Sequence, residues 1–339
     1  MQGIIYEPGM GLNAQSLKSL QALLIRLQHP FKAGDPVGIK LHWGEMGNHS
    51  FLPPVFAGEI ARWLMDLGAK PFVFDTTVLY SGSRHTAEES LKTAAAHGYD
   101  EACLGCPVII ADGIDGRDVV DIPAGYRHFE TVQIASVLER AKGFVIFSHF
   151  KGHMVSGFGG AIKNISMGFA SRAQKQRMHA DAHPRLKREK CSQCGVCVEV
   201  CPTGAARFAD DDYPGYDLDL CVGCAQCIGF CPEVALEICW GTDNRVFQEK
   251  LIETAAAVWR KIQGRTLLIN ALLNVVAECD CMPGHHAALA PDAGFIGGYH
   301  PVSVDEASIM RVGEEIFDNA HPRADWRRQF AYSREIGFI

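Results

Sequence analysis

Eight cysteines are the residues of this sequence best suited to chemistry, because they form two copies of one motif. The first copy reads Cys191-Ser-Gln-Cys194-Gly-Val-Cys197-Val-Glu-Val-Cys201-Pro202, and the second reads Cys221-Val-Gly-Cys224-Ala-Gln-Cys227-Ile-Gly-Phe-Cys231-Pro232. Both match C-x2-C-x2-C-x3-C-P, the spacing of bacterial two-cluster ferredoxins, in which the fourth cysteine ligates the other cluster. The sequence therefore predicts two 4Fe–4S clusters. Their expected ligands are Cys191, Cys194, Cys197 and Cys231 for one, and Cys221, Cys224, Cys227 and Cys201 for the other.

Zinc is the alternative occupant of such a segment, since pairs of cysteines spaced C-x2-C also bind zinc. A zinc site takes four ligands, usually from two such pairs. The third cysteine and the Cys-Pro ending of each copy therefore do not match a zinc pattern. Gly195 and Gly223 are expected to let the backbone approach a cluster closely. Two readings of the clusters stay open, an electron-transfer path and a structural role.

Five further cysteines lie outside the two motifs, namely Cys103, Cys106, Cys239, Cys279 and Cys281. The pairs Cys103–Cys106 and Cys279–Cys281 could together hold a third metal. Buried free cysteines also behave as small hydrophobic residues. The sequence does not place the two pairs together, so both interpretations stay open.

The elements around the cysteine-rich segment alternate between helices and strands. Hydrophobic periodicity predicts helices over residues 16–28, 54–67, 87–97, 131–141, 247–262 and 304–317, and strands over 37–42, 72–75, 108–111, 144–150 and 266–272. Such alternation indicates an α/β fold with a largely parallel sheet and helices on both faces. The cysteine-rich segment interrupts it as a two-cluster ferredoxin-like insert. The expected organisation is a first α/β host part over 1–185, the insert over 186–240 and a second host part over 241–339.

Ionisable residues follow four of the predicted strands. Lys40 and His42 end the first strand, Asp75 the second, Asp112 the third, and the fourth runs into His149-Phe-Lys151-Gly-His153. Because open parallel sheets bind ligands beyond the carboxyl ends of their strands, a polar crevice is expected there. The alternative for each residue alone is a cap or a turn.

The residue types in this expected crevice suggest chemical roles for its members. The candidate catalytic residues are His42, Glu45, His149, Lys151, His153 and Lys163. The three histidines are candidate proton donors, because histidine titrates near neutral pH. The two lysines would neutralise an anionic ligand, and Glu45 would orient a histidine or bind a cation. A mononuclear metal held by His42, Glu45 and His49 is a further possibility.

A glycine-rich turn follows the fourth strand. Its residues Gly157, Gly159, Gly160, Lys163 and Asn164 are candidate cofactor-binding residues, because the backbone N–H groups of such a turn can cradle an anion. The turn is neither a Walker A motif nor a complete GxGxxG fingerprint. A tight turn without a ligand is the alternative.

Composition excludes several classes of protein. The 339 residues carry a formal net charge of −7, which argues against non-specific binding of nucleic acid. No apolar run is long enough for a membrane span, and the N-terminus does not resemble a secretion signal. The many cysteines then favour metal ligation in the cytoplasm over disulfides. The insert has four basic residues against nine acidic ones, so its acidic surface either docks a redox partner protein or is simply a solvated loop.

Several motifs resemble those of the domain-of-unknown-function 362 family, in the branch of uncharacterised Fe–S centre proteins. The similarity rests on the segments 40–48, 75–76, 79–84, 111–113, 149–153, 157–164, 167–168, 171–172 and 279–281, and it covers nearly the whole chain. It implies an α/β host carrying a dicluster ferredoxin insert, in a bacterial or archaeal cytoplasmic protein. The chain departs from the family pattern with His300-Pro-Val-Ser before the last helix and with cysteines at 103 and 106. The family supplies no substrate.

Three functions are consistent with these residues. The first is an oxidoreductase that passes electrons through two 4Fe–4S clusters to an unidentified substrate or cofactor in the crevice. The second is a non-catalytic electron carrier or a subunit of a larger redox assembly. The third is a redox-sensing or metal- and cofactor-handling protein. A plain carrier does not need so large a host domain, which favours the enzyme.

Overall fold

The computed structural model describes residues 3–80, 82–179, 184–218, 220–221, 224–237 and 243–339. In chain order the strands are β1 (Ile5–Glu7), β2 (Pro36–Lys40), β3 (Lys70–Asp75), β4 (Val108–Ile110), β5 (Val119–Pro123), β6 (Thr131–Ala135), β7 (Gly143–His149), β8 (Lys151–His153), β9 (Gly157–Gly159), β10 (Ala206–Phe208), β11 (Pro214–Tyr216), β12 (Thr266–Leu272) and β13 (Gly294–Gly298). The α-helices are α1 (Ala14–Arg26), α2 (Pro54–Asp66), α3 (Ala87–Ala96), α4 (Glu101–Leu104), α5 (Val137–Arg140), α6 (Ala161–Ser166), α7 (Arg172–His179), α8 (Val196–Glu199), α9 (Gln226–Phe230), α10 (Asn244–Ile262), α11 (Pro301–Val312), α12 (Glu314–Ala320) and α13 (Arg327–Glu335).

A seven-stranded sheet in the order β1-β13-β12-β7-β2-β3-β4 forms the centre of the molecule. From β12 to β4 all neighbours pair in parallel, whereas β13 pairs antiparallel with both β12 and β1. The expectation of a mostly parallel α/β sheet is confirmed. From β2 the chain builds outward through β3 and β4, and then returns to add β7 on the other side of β2. The strand order therefore reverses between β2 and β7, which is where ligands bind in open α/β sheets.

Side chains on β7 alternate between the two faces of the sheet. Phe144 and Ile146 join one hydrophobic core, and Val145 and Phe147 join the other. This is the period of two expected of a strand that is buried on both faces. Helices α1 and α2 cover one face and α6 and α10 the other, as their core residues show.

Two of the predicted elements are wrong. The predicted helix over 131–141 is strand β6 followed by the short helix α5, because Thr131–Ala135 pairs antiparallel with β5. The predicted helix over 304–317 is divided at Gly313, whose φ of 115° ends α11 before α12 begins. The tail beyond His321 contains α13, which packs on α10.

The cysteine-rich segment leaves the host and returns to it at one place. Leu186 and Leu236 form an antiparallel bridge, and Glu237 N–H donates to the Arg185 carbonyl at 2.8 Å. Between these ends lie α8, α9 and the hairpin of β10 and β11. Gly223 and Cys239 fall outside the described residues.

Helix α9 of this segment packs against α7 of the host. A Cβ atom on Gly229 would lie 2.5 Å from the Ala173 backbone nitrogen, so this close approach requires glycine. Among the helices that the structure describes, none is long and apolar enough to cross a membrane.

Candidate functional site at the strand ends

A cavity of about 820 Å³ opens at the carboxyl ends of β2 and β7. Cavities of this size accommodate small-molecule ligands and cofactors. All six side chains that the sequence suggested as catalytic line it, namely His42, Glu45, His149, Lys151, His153 and Lys163. The structure thus brings together residues that lie up to 121 positions apart in the sequence.

A buried network of charges forms one wall of the cavity. The Lys40 ammonium contacts the Asp75 carboxylate at 2.9 Å, and Arg84 contacts Asp75 at 3.4 Å and Glu45 at 3.2 Å. Arg84 also donates to the Tyr80 hydroxyl at 2.7 Å. Glu45 accepts from the Ser83 N–H at 2.8 Å. Glu45 is therefore held by Arg84 and Ser83 rather than by a histidine.

Asp280 anchors a second network. Its carboxylate accepts from the Lys151 ammonium at 2.7 Å and lies 3.0 Å from His149 Nδ1. The other ring nitrogen of His149 faces the carbonyls of Leu273 and Asn274 at 3.0 and 3.1 Å. Burial by itself would raise the pKa of Asp280, but Lys151 and His149 hold that pKa well below its usual range. His149 and Lys151 are thus committed to protein partners.

Among the described residues, no carboxylate is hydrogen-bonded to the ring of the half-buried His42 or to that of the buried His153. Nδ1 of His42 accepts from the Gly44 N–H at 3.0 Å, and Nδ1 of His153 accepts from the N–H groups of Val155 and Ser156 at 3.2 and 3.1 Å. Burial lowers the pKa of His42 to about 3 and that of His153 to about 4. At neutral pH both rings are therefore uncharged and carry their proton on Nε2.

Lys163 differs from the other cations of the cavity. Among the described residues it forms no ion pair with a carboxylate, and its Nζ atom lies 3.9 Å from the Sγ atom of Cys279. Lys175 contacts neutral oxygens, those of Thr76, Thr77 and Ala170, at 2.7 to 2.9 Å. Burial lowers the pKa of Lys175 to about 8. These two lysines are the cations best placed to meet an anionic ligand.

The glycine-rich turn does present N–H groups to a carboxyl group, but that group belongs to the protein. Ala161 N–H and Ile162 N–H donate to the buried Asp305 carboxylate at 2.7 and 2.9 Å. A Cβ atom on Gly160 would lie 2.3 Å from that carboxylate. The N–H groups of Ala161 and Ile162 therefore bind a side chain of the protein, and binding of an external ligand by the rest of the turn stays a prediction.

The other candidate residues of this turn are placed differently. Gly159 and Gly160 line the cavity, whereas Gly157 packs beneath Trp326. Asn164 accepts from Lys40 Nζ at 2.9 Å and donates to Phe147 O at 3.2 Å. Asn164 therefore holds β2 and β7 together at the cavity floor.

The four cysteines expected to hold one cluster line a single small cavity. They are Cys191, Cys194, Cys197 and Cys231. Backbone N–H groups donate to two of their sulfur atoms, from Gln193 to Cys191 at 3.4 Å and from Ala235 to Cys231 at 3.3 Å. Such N–H···S bonds are found around protein-bound iron–sulfur clusters and tune their potentials. The donor set and its surroundings fit a cluster.

The second set lies beside the first. Burial raises the pKa of the Cys224 thiol, and nearby Cys201 and Cys221 add to the rise. Burial likewise raises the pKa of the Cys227 thiol to about 12. In the equivalent loop positions Gly195 has φ 79° and Ala225 has φ 60°. The matching left-handed turns show that the two motif copies fold alike.

One residue connects the first cysteine set with the strand-end cavity. Leu79 packs in the same hydrophobic cluster as Cys197 and Cys231, and it also lines the large cavity. Helix α7 makes a second connection, since it packs on α9 and carries Lys175 on the cavity wall.

Other metal sites suggested by the sequence are not assembled. Among the described residues, no three His, Cys, Asp or Glu side chains are grouped closely enough to hold a single ion. His49 is exposed and does not line the cavity with His42 and Glu45. Cys103 is exposed and Cys106 is buried in a hydrophobic core, whereas Cys279 and Cys281 line the cavity. The two cysteine pairs are therefore separate.

Several cavity residues had no sequence-based role. They are Tyr80, Arg84, Lys175 and three exposed methionines, Met46, Met154 and Met282. Arg84 and Tyr80 lie in the segment 79–84, which carries part of the family resemblance. That segment was therefore the sequence signal that could have identified them. The methionines carried no such signal, since their position at the rim depends on the tertiary fold.

The comparisons with known proteins bear on the family. The model of DUF362, described as a domain of unknown function, matches residues 37–310. The chain belongs to the DUF362 family. No curated protein matches it significantly.

Two solved structures are similar to this DUF362 protein. A protein from Thermotoga maritima matches at 14% identity and a TM-score of 0.47, over 93% of this chain and 60% of the other. The lactate racemase apoprotein from Thermoanaerobacterium thermosaccharolyticum matches at 13% identity and a TM-score of 0.37, over 80% of this chain and 51% of the other. The chain thus spans little more than half the length of either.

Proposed function

We propose that this DUF362 protein is an oxidoreductase that passes electrons through two 4Fe–4S clusters to an anionic ligand in the strand-end cavity. One cluster would be held by Cys191, Cys194, Cys197 and Cys231, and the other by Cys221, Cys224, Cys227 and Cys201. Such clusters supply single electrons when bound.

One observation carries the proposal. Four cysteines from the two motif copies line one cavity, and Leu79 belongs to the same hydrophobic cluster as two of them while also lining the strand-end cavity. A carrier that only exchanged electrons with partners at its surface would not need this connection. The contact therefore favours an enzyme over a plain carrier.

The charges of the cavity support an anionic ligand. Among the residues that the structure describes, five cationic side chains line it, and two carboxylates, Glu45 and Asp75, oppose them. Asp280 neutralises one further cation, Lys151. Lys175, together with Lys163 beside the Cys279 sulfur, remains to attract and hold a negative group.

Proton handling would fall to His42. Its Nδ1 atom is fixed by the Gly44 N–H, so its Nε2–H can donate a hydrogen bond to the ligand. A neutral ring in a low-dielectric cavity stabilises negative charge on a ligand atom without first having to be protonated. A redox partner would dock on the acidic segment, and the reduced cysteines suit the cytoplasm.

Iron analysis of protein purified without oxygen tests the clusters. We expect about eight iron atoms and eight labile sulfides per chain, and an electron paramagnetic resonance signal of two interacting clusters after dithionite reduction. Cys194→Ser should remove about half of the iron. Cys103→Ser, which changes an exposed cysteine outside both motifs, should remove none. Protein that binds zinc instead of iron would refute the proposal.

A further inference from the structure

Cys279 and Cys281 lie together on the wall of the strand-end cavity. They follow β12 in a loop that Asp280 fixes in place. The Asp280 carbonyl accepts from the Glu45 N–H at 2.8 Å, while its carboxylate binds Lys151 on the opposite side. With Asp280 anchored in both directions, its two cysteine neighbours are presented to the cavity.

The surroundings of Cys279 favour its thiolate. The Cys281 N–H donates to Cys279 Sγ at 3.4 Å, and the Lys163 ammonium lies 3.9 Å from the same atom. The Cys281 thiol is the largest of the influences that hold the pKa of Cys279 well below its usual range, and Lys163 and His153 act in the same direction. Conversely, the thiolate of Cys279 and burial keep the pKa of Cys281 high. These contacts therefore favour a thiolate at Cys279 and a thiol at Cys281.

Of the three other cysteines outside the cluster motifs, the two that the structure describes lack these features. Cys103 is exposed, and a hydrogen bond with Asp100 raises the pKa of its thiol. Cys106 is packed in a hydrophobic core, and burial raises its pKa to about 11. The contrast makes Cys279 the candidate nucleophile and leaves Cys103 as a natural internal control.

We propose that Cys279 and Cys281 form a dithiol–disulfide pair that reduces an anionic disulfide bound in the cavity. The Cys279 thiolate attacks one sulfur of the ligand R–S–S–R′, forming a mixed disulfide and releasing R′S⁻, which takes up a proton. Cys281 then loses its proton and attacks Cys279 Sγ, and the second thiol leaves with that proton. The products are RSH, R′SH and a Cys279–Cys281 disulfide.

Two electrons and one proton return this disulfide to the thiolate and thiol. Only this resetting step rests on the proposed function. In that function, two clusters that each give one electron would supply the two electrons required. A small dithiol such as dithiothreitol can replace them in a test. The dithiol pair can therefore be examined separately from the clusters.

Alkylation of the cluster-loaded protein by iodoacetamide at pH 6, followed by peptide mass spectrometry, tests the thiolate. We expect Cys279 to react faster than the more exposed Cys103. Lys163→Met should slow labelling of Cys279 about tenfold by removing the neighbouring positive charge, Lys163→Arg should preserve most of the rate, and the surface change Lys92→Met should have no effect. Labelling of Cys279 only after denaturation would overturn the proposal.

A disulfide probe tests the pair itself. With oxidised glutathione, the unaltered protein should gain an internal disulfide in the peptide that contains both cysteines. Cys281→Ser should instead accumulate glutathione bound to Cys279, and Cys279→Ser should do neither. If Cys281→Ser forms no adduct at Cys279, the proposal fails. Iron content measured on the same samples shows separately whether the cluster proposal holds.

Discussion

At the scale of single residues, the cavity is built from charges that satisfy one another. Asp280 contacts both Lys151 and His149, two residues that the sequence had suggested would face a ligand. Alternation along a strand predicted that Lys40 and His42 share a face, and both line the cavity. The role of Asp280 could not be predicted, because its partners lie about 130 positions earlier in the chain and come close only through β7 and β12.

Replacing Asp280 by Asn should destabilise the protein substantially. The change leaves the buried Lys151 ammonium without its carboxylate, and loss of one partner of a buried ion pair costs about 3 kcal/mol or more. Urea unfolding, followed by circular dichroism, measures the loss as a lower midpoint. Asp121→Asn, at an exposed carboxylate on β5, should leave the midpoint unchanged. Equal midpoints for the two variants would show that the Asp280 network does not stabilise the fold.

At the scale of elements, strand order explains where the cavity lies. The five parallel strands of the central sheet were predicted from their apolar runs, and the segment 266–272 was placed to the residue, whereas β1 and β13 at the antiparallel edge were not predicted. The helix predicted over 131–141 failed because its β-branched residues, Thr131, Val132 and Ile134, pair with β5, a strand that the periodicity did not reveal. The contact of Asp305 with the N-terminus of α6 was not predictable either. Asp305 lies on α11, which comes close to α6 only in the tertiary fold.

The adjacent Gly159 and Gly160 before α6 offer a matched test of that contact. Gly160→Ala would place a methyl group 2.3 Å from the Asp305 carboxylate, whereas on Gly159 it would make an ordinary contact of 3.6 Å with Lys163. We expect Gly160→Ala to lower the free energy of unfolding by about 1–3 kcal/mol, as overpacking does, and Gly159→Ala to have a much smaller effect. If the turn instead cradled a free anion, both variants would retain stability and lose ligand binding alone.

At the scale of the whole molecule, the cysteine-rich segment is attached through paired ends. The bridge between Leu186 and Leu236 lies within a few residues of the boundaries expected from the sequence, 186 and 240. The motif spacing suggested which cysteines would meet, and the described part of the segment brings the first set together. Its attachment to the host through α7 and Leu79 was not predictable, because packing between α9 and α7 leaves no periodic signal in the sequence.

Replacing residues 188–234 by a short Gly-Ser turn should leave the host sheet folded. The paired ends need only a tight connection, and the seven strands of the central sheet lie outside the removed segment. We expect a cooperative melting transition at a lower temperature, since α7 and Leu79 lose their cover, together with complete loss of bound iron. The matching control keeps the segment and carries only Gly215→Ala, which meets nothing closer than 3.8 Å. A deletion variant without cooperative melting would show that host and segment fold as one unit.

The antiparallel bridge at Leu186 and Leu236 also has a consequence for ancestry. Because the chain departs and returns at one point, a single in-frame insertion in a gene could add this segment without rethreading any strand of the central sheet. Its loss would be equally simple. Relatives that lack the cysteines would then be expected to retain the lysine-rich cavity and to obtain reducing power from a separate protein.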